Sequence, residues 1–559
     1  MPHPNHRTAR DAPPRPLLAD AERAAELKAQ ALELPSWDLD PRQQMELELL
    51  LGGAAAPLRG YLGREAHAAV LAGMRLPEGP FCPWPLTLDV DEATASALRP
   101  GGLLGLRDLE GVLLAVLRVE EVWEADPEAE ARALYGVRAA QAPRLLPWRG
   151  AGAVEGVELP GHYAFTALRH SPAELRALFA KRGWDRVVAL HLPGPVHAAQ
   201  QRLGMELVRE LGANLLLHPV VDEREDYYWL ARALRAVLPR FPEPSTALSL
   251  LSLPRRPGTV REVLWQALLR QNLGCSHMAW ESGVREGAGP DAYGLEAEEV
   301  AEALVLAAEG LRIVLVPTPV PAYLEEAGGF VPWRELPAGA RPRRLGEAEL
   351  MGRLREGREV PAWFSFPEVM AEMRQRFPAR SRQGFTLFFT GLSGAGKSTV
   401  AKAVMAKLLE LGGRPVTLLD GDVVRKHLSS ELGFSREHRN LNIRRIGFVA
   451  SQITRNGGVA ICAPIAPYAA VRREVREMIS PYGGFIEIHV ATPLEVCERR
   501  DRKGLYAKAR AGLIREFTGI SDPYEPPEDP ELRLDTSELS VEEAAQRVFL
   551  YLEREGYIG

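Results

Sequence analysis

The sequence predicts a multidomain α/β protein whose C-terminal part is a parallel sheet with a phosphate-binding loop. Three observations predict it. Residues Gly391–Ser398 read GLSGAGKS and fit the pattern G-x-x-x-x-G-K-[ST]. From about residue 170 to about 320, strand-like and helix-like segments alternate, as in parallel α/β layers. Before that, glycines and prolines break the chain into short helices and strands, which reads as a separate mixed domain.

A chain of 559 residues has room for about three to four domains. Hydrophobic content of 46% and charged content of 25% are ordinary for a soluble globular protein. A net charge of −6 gives no global attraction for nucleic acid or an anionic membrane. Cys82, Cys275, Cys462 and Cys497 lie far apart, without a CxxC, and read as reduced, buried thiols of a cytoplasmic protein. The twelve histidines show no zinc spacing, and no apolar run approaches a membrane span. Residues 1–20 begin MPHPNHRTARDAPPRP, lack an apolar signal core and read as disordered.

Taken in order, DAERAAELKAQALELP has helical composition, and LLGLRDLEGVLLAVLRVEEVWE (Leu103–Glu124) reads as two strands around a turn. SPAELRALFAKRGW is a helix, DRVVALHLPGPVH a buried strand entering a turn, and AAQQRLGMELVRELGA a helix. NLLLHPVV, TALSLLSLP and RIVLVPTP follow as strands, with VREVLWQALLRQNLG as a helix among them. Ligands in such sheets bind at the carboxyl ends of strands. The candidate loops there are 191–200, 218–226 and 282–290. The basic connector PARSRQG marks the main boundary near residue 378.

Around the phosphate loop, TLFFT (Thr386–Thr390) supplies the buried strand and STVAKAVMAKLLELGG the helix, stopped by Gly412-Gly413. The glycines let backbone N–H groups face a phosphate, and the helix start adds positive potential. Lys397 is placed to reach the outer phosphates of ATP and Ser398 to hold Mg²⁺. A second strand ends at Asp420, with Asp422 two residues on; these carboxylates suit Mg²⁺ or an acceptor hydroxyl, and Asp422 equally suits a helix N-cap. Arg436, Arg439, Arg444 and Arg445 offer guanidinium groups to an anionic substrate or to solvent. Phe434 suits base stacking or core packing. The basic, glycine-interrupted ERRDRKGLYAKARAGLIREFTG suits a mobile lid.

GLSGAGKST, LDGDVVR, LGFSREHR, NIRR, PLEVCERRDRKGLYAKARAG and FTGISDPYE, in this order, resemble adenylylsulfate kinase (APS kinase) over about residues 378–559. The resemblance implies a P-loop kinase that moves the γ-phosphate of MgATP to the 3′-hydroxyl of adenylylsulfate, giving PAPS and ADP. It implies that Gly391, Ser393, Gly394, Ala395, Gly396, Lys397, Ser398, Thr399 and Arg500 bind ATP. It places Asp422 near the acceptor hydroxyl, and Arg425, Phe434, Arg439, Asn442, Lys508 and Phe517–Gly519, including Thr518, around adenylylsulfate. Two segments depart from the family pattern. F-I-S-P-Y-R reads Pro464-Ile465-Ala466-Pro467-Tyr468-Ala469, and D-R-x-E-N reads His438-Arg439-Asn440-Leu441-Asn442.

The preceding part resembles ATP sulfurylase through LDPRQQMELELLLGGAAAPLRGYL, MRLPEGPFCPWPLTLDV, REVLWQALLRQNLGCSH and PAWFSFPEVMAEMR. That resemblance implies a PUA-like domain over 21–168, a Rossmann-like nucleotidyltransferase domain over 169–335 and a small third domain over 336–377. Its catalytic motifs are eroded. Q-T-R-N-P-x-H-R-A-H reads His191 to Gln200, with Pro193 for the first arginine, Gly194 for the asparagine and Gln200 for the second histidine; His197 remains. In G-R-D-H-A-G-P-G, Arg285 remains and Gly287 replaces the histidine. Sulfate attack on ATP needs donors aimed at the developing charge, and removing one typically costs about 2.7–4 kcal/mol. The expectation is an active APS kinase, homo-oligomeric, fused to an inactive sulfurylase region. The alternatives are a bifunctional PAPS synthase and a non-catalytic nucleotide-binding scaffold.

Overall fold

The computed structural model describes residues 13–222, 226–282, 293–319, 321–332, 335–337, 339–433, 435–514 and 516–558, apart from the Asp422 side chain. The chain forms two compact units. One is Met1–Leu345 with Pro361–Met373; the other is Gly346–Val360 with Arg374–Gly559. The stretch 336–377 is therefore shared between them.

The first unit holds two large sheets. In the seven-stranded mixed sheet, the strand Trp148–Gly156 pairs antiparallel with Gly60–Tyr61, Leu88–Val90, Leu113–Arg118 and Glu121–Glu124. Crowding around that one strand requires Gly152: its φ is +143°, and a Cβ there would sit 2.0 Å from the Arg118 carbonyl oxygen. The second sheet is parallel, in the order Thr246–Leu248, Asn214–Leu217, Val187–Leu190, His277–Glu281, Val314–Thr318. Val187–Leu190 is first in sequence and lies in the middle. The chain builds outward on one side and then crosses to the other, so a crevice opens beyond the carboxyl ends of Val187–Leu190 and His277–Glu281. Val187–Leu190 is buried along its whole length, and Trp265 and Trp280 pack fully inside. The other unit's sequence, 346–360 with 374–559, contains none of the chain's ten tryptophans.

The second unit carries a five-stranded parallel sheet in the order Val416–Asp420, Val459–Ala463, Phe385–Thr390, Gly484–Val490, Leu532–Leu534. Phe385–Thr390 is its central strand and is buried at every residue. Alternation sends Phe385, Leu387 and Phe389 to one face, against Val400, Val404, Ala544, Val548 and Leu552. Phe388 goes to the other, against Ile443, Ile446, Val471 and Val475. A strand covered on both faces reads as the unbroken apolar run FTLFFT rather than as alternation. Among the described residues, no helix is long and apolar enough to cross a membrane.

Candidate active site

The central strand Phe385–Thr390 runs into Gly391, and the helix Lys397–Leu411 begins six residues after that glycine. Backbone conformation demands glycine at Gly391, Gly394 and Gly396, with φ of +149°, +74° and +101°. A Cβ on Gly391 would lie 2.5 Å from the Val490 carbonyl oxygen, and one on Gly396 3.1 Å from Thr536 Oγ1. The loop's carbonyls are held by side-chain donors. Lys397 Nζ donates to Gly391 O (2.9 Å) and Leu392 O (2.8 Å), and Tyr506 Oη donates to Ser393 O (2.8 Å). Arg500 Nη1 donates to Gly394 O (3.4 Å). Thr492 Oγ1 (3.0 Å) and Thr536 Oγ1 (2.8 Å) both donate to Ala395 O. Ser398 and Thr399 lie in the first turn of the helix, where the aligned N–H groups favour an anion.

Asp420 is the last residue of its strand, and Asp422 is the second residue of the helix Gly421–Leu428. Among the described residues, no three or more acidic, histidine or cysteine side chains gather as a metal cluster. A Mg²⁺ held by one hydroxyl and by ATP's own phosphates needs none, and Ser398 at the helix start fits that arrangement.

Opposite the loop, Ser435 caps the helix Arg436–Arg455, accepting from the His438 N–H at 3.3 Å. Arg439, in the first turns of that helix, is nearly buried. Its Nη1 donates to Thr518 Oγ1 (2.9 Å) and to Asp522 Oδ2 (2.9 Å), and the Tyr468 ring lies 5.5 Å from its guanidinium carbon. Tyr468 Oη donates to the same Asp522 Oδ2 at 2.8 Å, and burial, helped by that bond, pushes its phenol up to about 12. The other edge of Arg439 is different. Nε and Nη2 are buried without a hydrogen-bond partner, and so is Asn442 Oδ1 one turn along the helix. Two adjacent guanidinium N–H groups left empty in a buried site are a fork shaped for an oxyanion.

The remaining predicted residues distribute around these two centres. Phe517 meets the Tyr506 ring edge-on at 5.1 Å, and Thr518 is buried on Arg439. Gly519 (φ +90°) packs so closely that a Cβ would come within 2.9 Å of Leu392 in the phosphate loop. Lys508 is exposed on the short helix Leu505–Arg510. Arg425 Nη1 faces the Leu432 and Gly433 carbonyls at 3.3 and 3.2 Å. Phe434 lies outside the described residues. Sequence reasoning missed Thr492, Tyr506, Asp522 and Thr536, which reach the site from distant positions.

In the first unit's crevice, the loop after Val187–Leu190 carries Pro193 and Pro195, so two backbone donors are absent from it. Gly194 has open space where a side chain would go. His197 is the N-cap residue of the helix Ala198–Leu211, and its N–H donates to Gln200 Oε1 at 3.1 Å. Its ring bonds Ser365 Oγ through Nδ1 (2.8 Å) and packs 4.3 Å from Phe364, and burial pushes its imidazole down to about 4. Gln200 Nε2 donates to Glu281 Oε2 at 3.3 Å, so a carboxylate of the chain stands beside the first turn of this helix. Burial and the Arg270 charge push His191 and His218 well below the usual histidine range. Arg285 and Gly287 lie outside the described residues.

Three family models match the chain. A PUA-like domain covers residues 13–150, ATP-sulfurylase covers 166–376, and adenylylsulphate kinase covers 383–535. Proteins named sulfate adenylyltransferase from Chaetomium globosum and Neurospora crassa are 41% and 40% identical to it, each match covering 97% of both chains. The solved structure of a hexameric APS kinase from Thiobacillus denitrificans is 44% identical, covers 98% of both chains and superimposes with a TM-score of 0.81.

Proposed function

Since the chain belongs to the sulfate adenylyltransferase family over 97% of its length, we propose that its working activity is that of an adenylylsulfate kinase. The observation that carries this reading is the empty Nε–Nη2 edge of Arg439, buried and preset for an oxyanion, in the unit that carries the phosphate loop. The 3′-hydroxyl oxygen of adenylylsulfate attacks the γ-phosphorus of ATP, the bond to the ADP oxygen breaks, and the hydroxyl proton leaves toward Asp422. Lys397 swings from its own loop carbonyls to the transferring phosphate. Mg²⁺, held by Ser398 and the phosphates with Asp420 nearby, would neutralise developing charge. Asn442 and Arg425 join Arg439 on the acceptor, while Phe434, Lys508 and the 517–519 segment close over its nucleoside.

In this reading the sulfurylase region, residues 21–377 with its PUA-like, nucleotidyltransferase and third segments, is catalytically inactive and serves assembly of a cytoplasmic homo-oligomer. Support comes from Pro193, from His197 committed to Ser365, and from Glu281 beside a helix start that would otherwise favour sulfate or triphosphate. The relatives' name, sulfate adenylyltransferase, favours a second reading, a bifunctional PAPS synthase. Purified protein assayed separately for PAPS formation from MgATP and adenylylsulfate, and for ATP formation from adenylylsulfate and pyrophosphate, decides between them. The first reading expects only the first activity; absence of PAPS formation overturns it.

A further inference from the structure

The phosphate loop offers its N–H groups to a ligand only if its peptide planes turn their carbonyls away, and in this chain those carbonyls are fastened from outside. The fastening converges on Thr536, two residues beyond the edge strand Leu532–Leu534. Thr536 Oγ1 donates to Ala395 O at 2.8 Å and accepts from Arg500 Nη1 at 2.8 Å. Arg500 Nη2 donates to Thr536 O at 2.7 Å. Thr492 Oγ1 lies 2.9 Å from Thr536 Oγ1 and accepts from the Thr536 N–H at 3.2 Å. The methyl and hydroxyl of Thr536 also pack on Gly396, the residue before Lys397.

We infer that Thr536 is a positioning residue for phosphoryl transfer, joining Arg500 to the Ala395 peptide so that the lid arginine and the N–H cradle are preset as one unit. The inference rests on the kinase reading for its chemistry, but its structural content concerns nucleotide binding alone. A carbonyl with two side-chain donors resists the peptide rotation that would turn the next N–H away from a phosphate, and preset donors lose no reorganisation energy when charge develops. Arg500 bonds Thr536 through both terminal nitrogens, so its guanidinium plane is fixed before ATP arrives. Thr536 touches no reacting atom and acts through these two partners.

Full-length Thr536→Val and Thr536→Ser variants separate the hydroxyl from the branched shape. Valine keeps the shape and the backbone bonds but removes those of the hydroxyl; serine keeps the hydroxyl and removes the methyl. Calorimetry with MgADP as the probe should show affinity about tenfold weaker for valine and restored to within about twofold by serine. Turnover should fall at least about tenfold for valine with the KM for adenylylsulfate unmoved. Valine with wild-type affinity and turnover overturns the inference; so does equal loss in both variants, which would assign the role to shape. Should the valine variant fail to fold, Thr492→Val carries the test. It removes one of the two Ala395 donors and leaves Arg500 in place. A weaker but measurable loss of MgADP affinity supports the inference, and none overturns it. If MgADP binding depends on the hydroxyl while the wild-type protein makes no PAPS, the acceptor assignment fails and the positioning role stands.

Discussion

Asp522 holds one edge of the Arg439 guanidinium at 2.9 Å and leaves the opposite edge, Nε and Nη2, buried and empty. The carboxylate therefore fixes the direction of the fork before any substrate enters. A guanidinium with one edge anchored loses little rotational freedom on binding.

Arg439→Ala should weaken adenylylsulfate binding by about a hundredfold, the scale for truncating one partner of a buried charged pair, while MgADP affinity changes by less than about threefold. Arg439→Lys should recover little, because an ammonium cannot present two parallel donors. Calorimetry with each ligand separately reads this; equal losses for both would reduce Arg439 to a structural residue.

Lys397→Ala should lower PAPS formation by at least about a thousandfold, since it removes the cation from the transferring phosphate. The fold should survive. Lys397 Nζ donates to two carbonyls of a loop that Thr492, Thr536 and Tyr506 also hold. Near-normal turnover in a coupled ADP-release assay would end the phosphate-loop assignment.

Most of the phosphoryl-donor side was legible because it is local. Strand, glycine turn and helix lie within 27 consecutive residues, Phe385–Leu411, and each leaves a sequence signal. The observed strand merely begins one residue earlier than the predicted TLFFT, at Phe385. Of the donors that hold the loop's carbonyls, Lys397 and Arg500 were legible and three were not. Thr492, Tyr506 and Thr536 carry no local pattern, and only sheet order brings two strand ends beside one turn. The Arg439–Asp522 pairing is likewise invisible to periodicity, because it joins a helix to a loop far along the chain. In the first unit, the alternating strands and helices marked the parallel sheet. Its switch-point crevice followed only once the order showed Val187–Leu190 in the middle.

Pyrophosphate and adenylylsulfate should yield no ATP above background. Pro193→Arg alone should not change that, because restoring a cation leaves Gly194 and Gln200 where the family has asparagine and histidine, and leaves Glu281 in place. A Pro193→Arg, Glu281→Gln double variant tests the electrostatic part: it should gain sulfate binding, read by equilibrium dialysis with labelled sulfate, without turnover. Robust ATP formation by the unaltered protein would favour the bifunctional reading.

The first unit should lose stability in mild acid. His197 is held down to about 4 by burial, against 6.5 for a free imidazole. Above about pH 6.5 both folded and unfolded chains keep it neutral; below that only the unfolded chain takes the proton, until about pH 4. The stability present above pH 6.5 is thus lost progressively on acidification, by about 2 kcal/mol at about pH 5 from His197 alone, and His191 and His218 act in the same direction. Urea titrations followed by tryptophan fluorescence do not report the other unit, whose sequence contains no tryptophan. His197→Gln should narrow the difference between midpoints at about pH 7.5 and about pH 5; an unchanged difference would mean the ring is solvated.

The placement of Phe385–Thr390 at the centre of its sheet also has a consequence during synthesis. The strand is made first, yet its neighbours begin at Val459 and Gly484. At about 5–20 residues per second, FTLFFT leaves the ribosome several seconds before either partner exists. It is uncharged, proline-free and β-prone, which is the composition of a segment that pairs with other chains when left bare. Arg380 and Arg382, immediately upstream, place positive charge against that segment throughout the wait. The basic connector thereby has a second meaning, as a guard on the nascent strand that keeps one growing chain from pairing with the next.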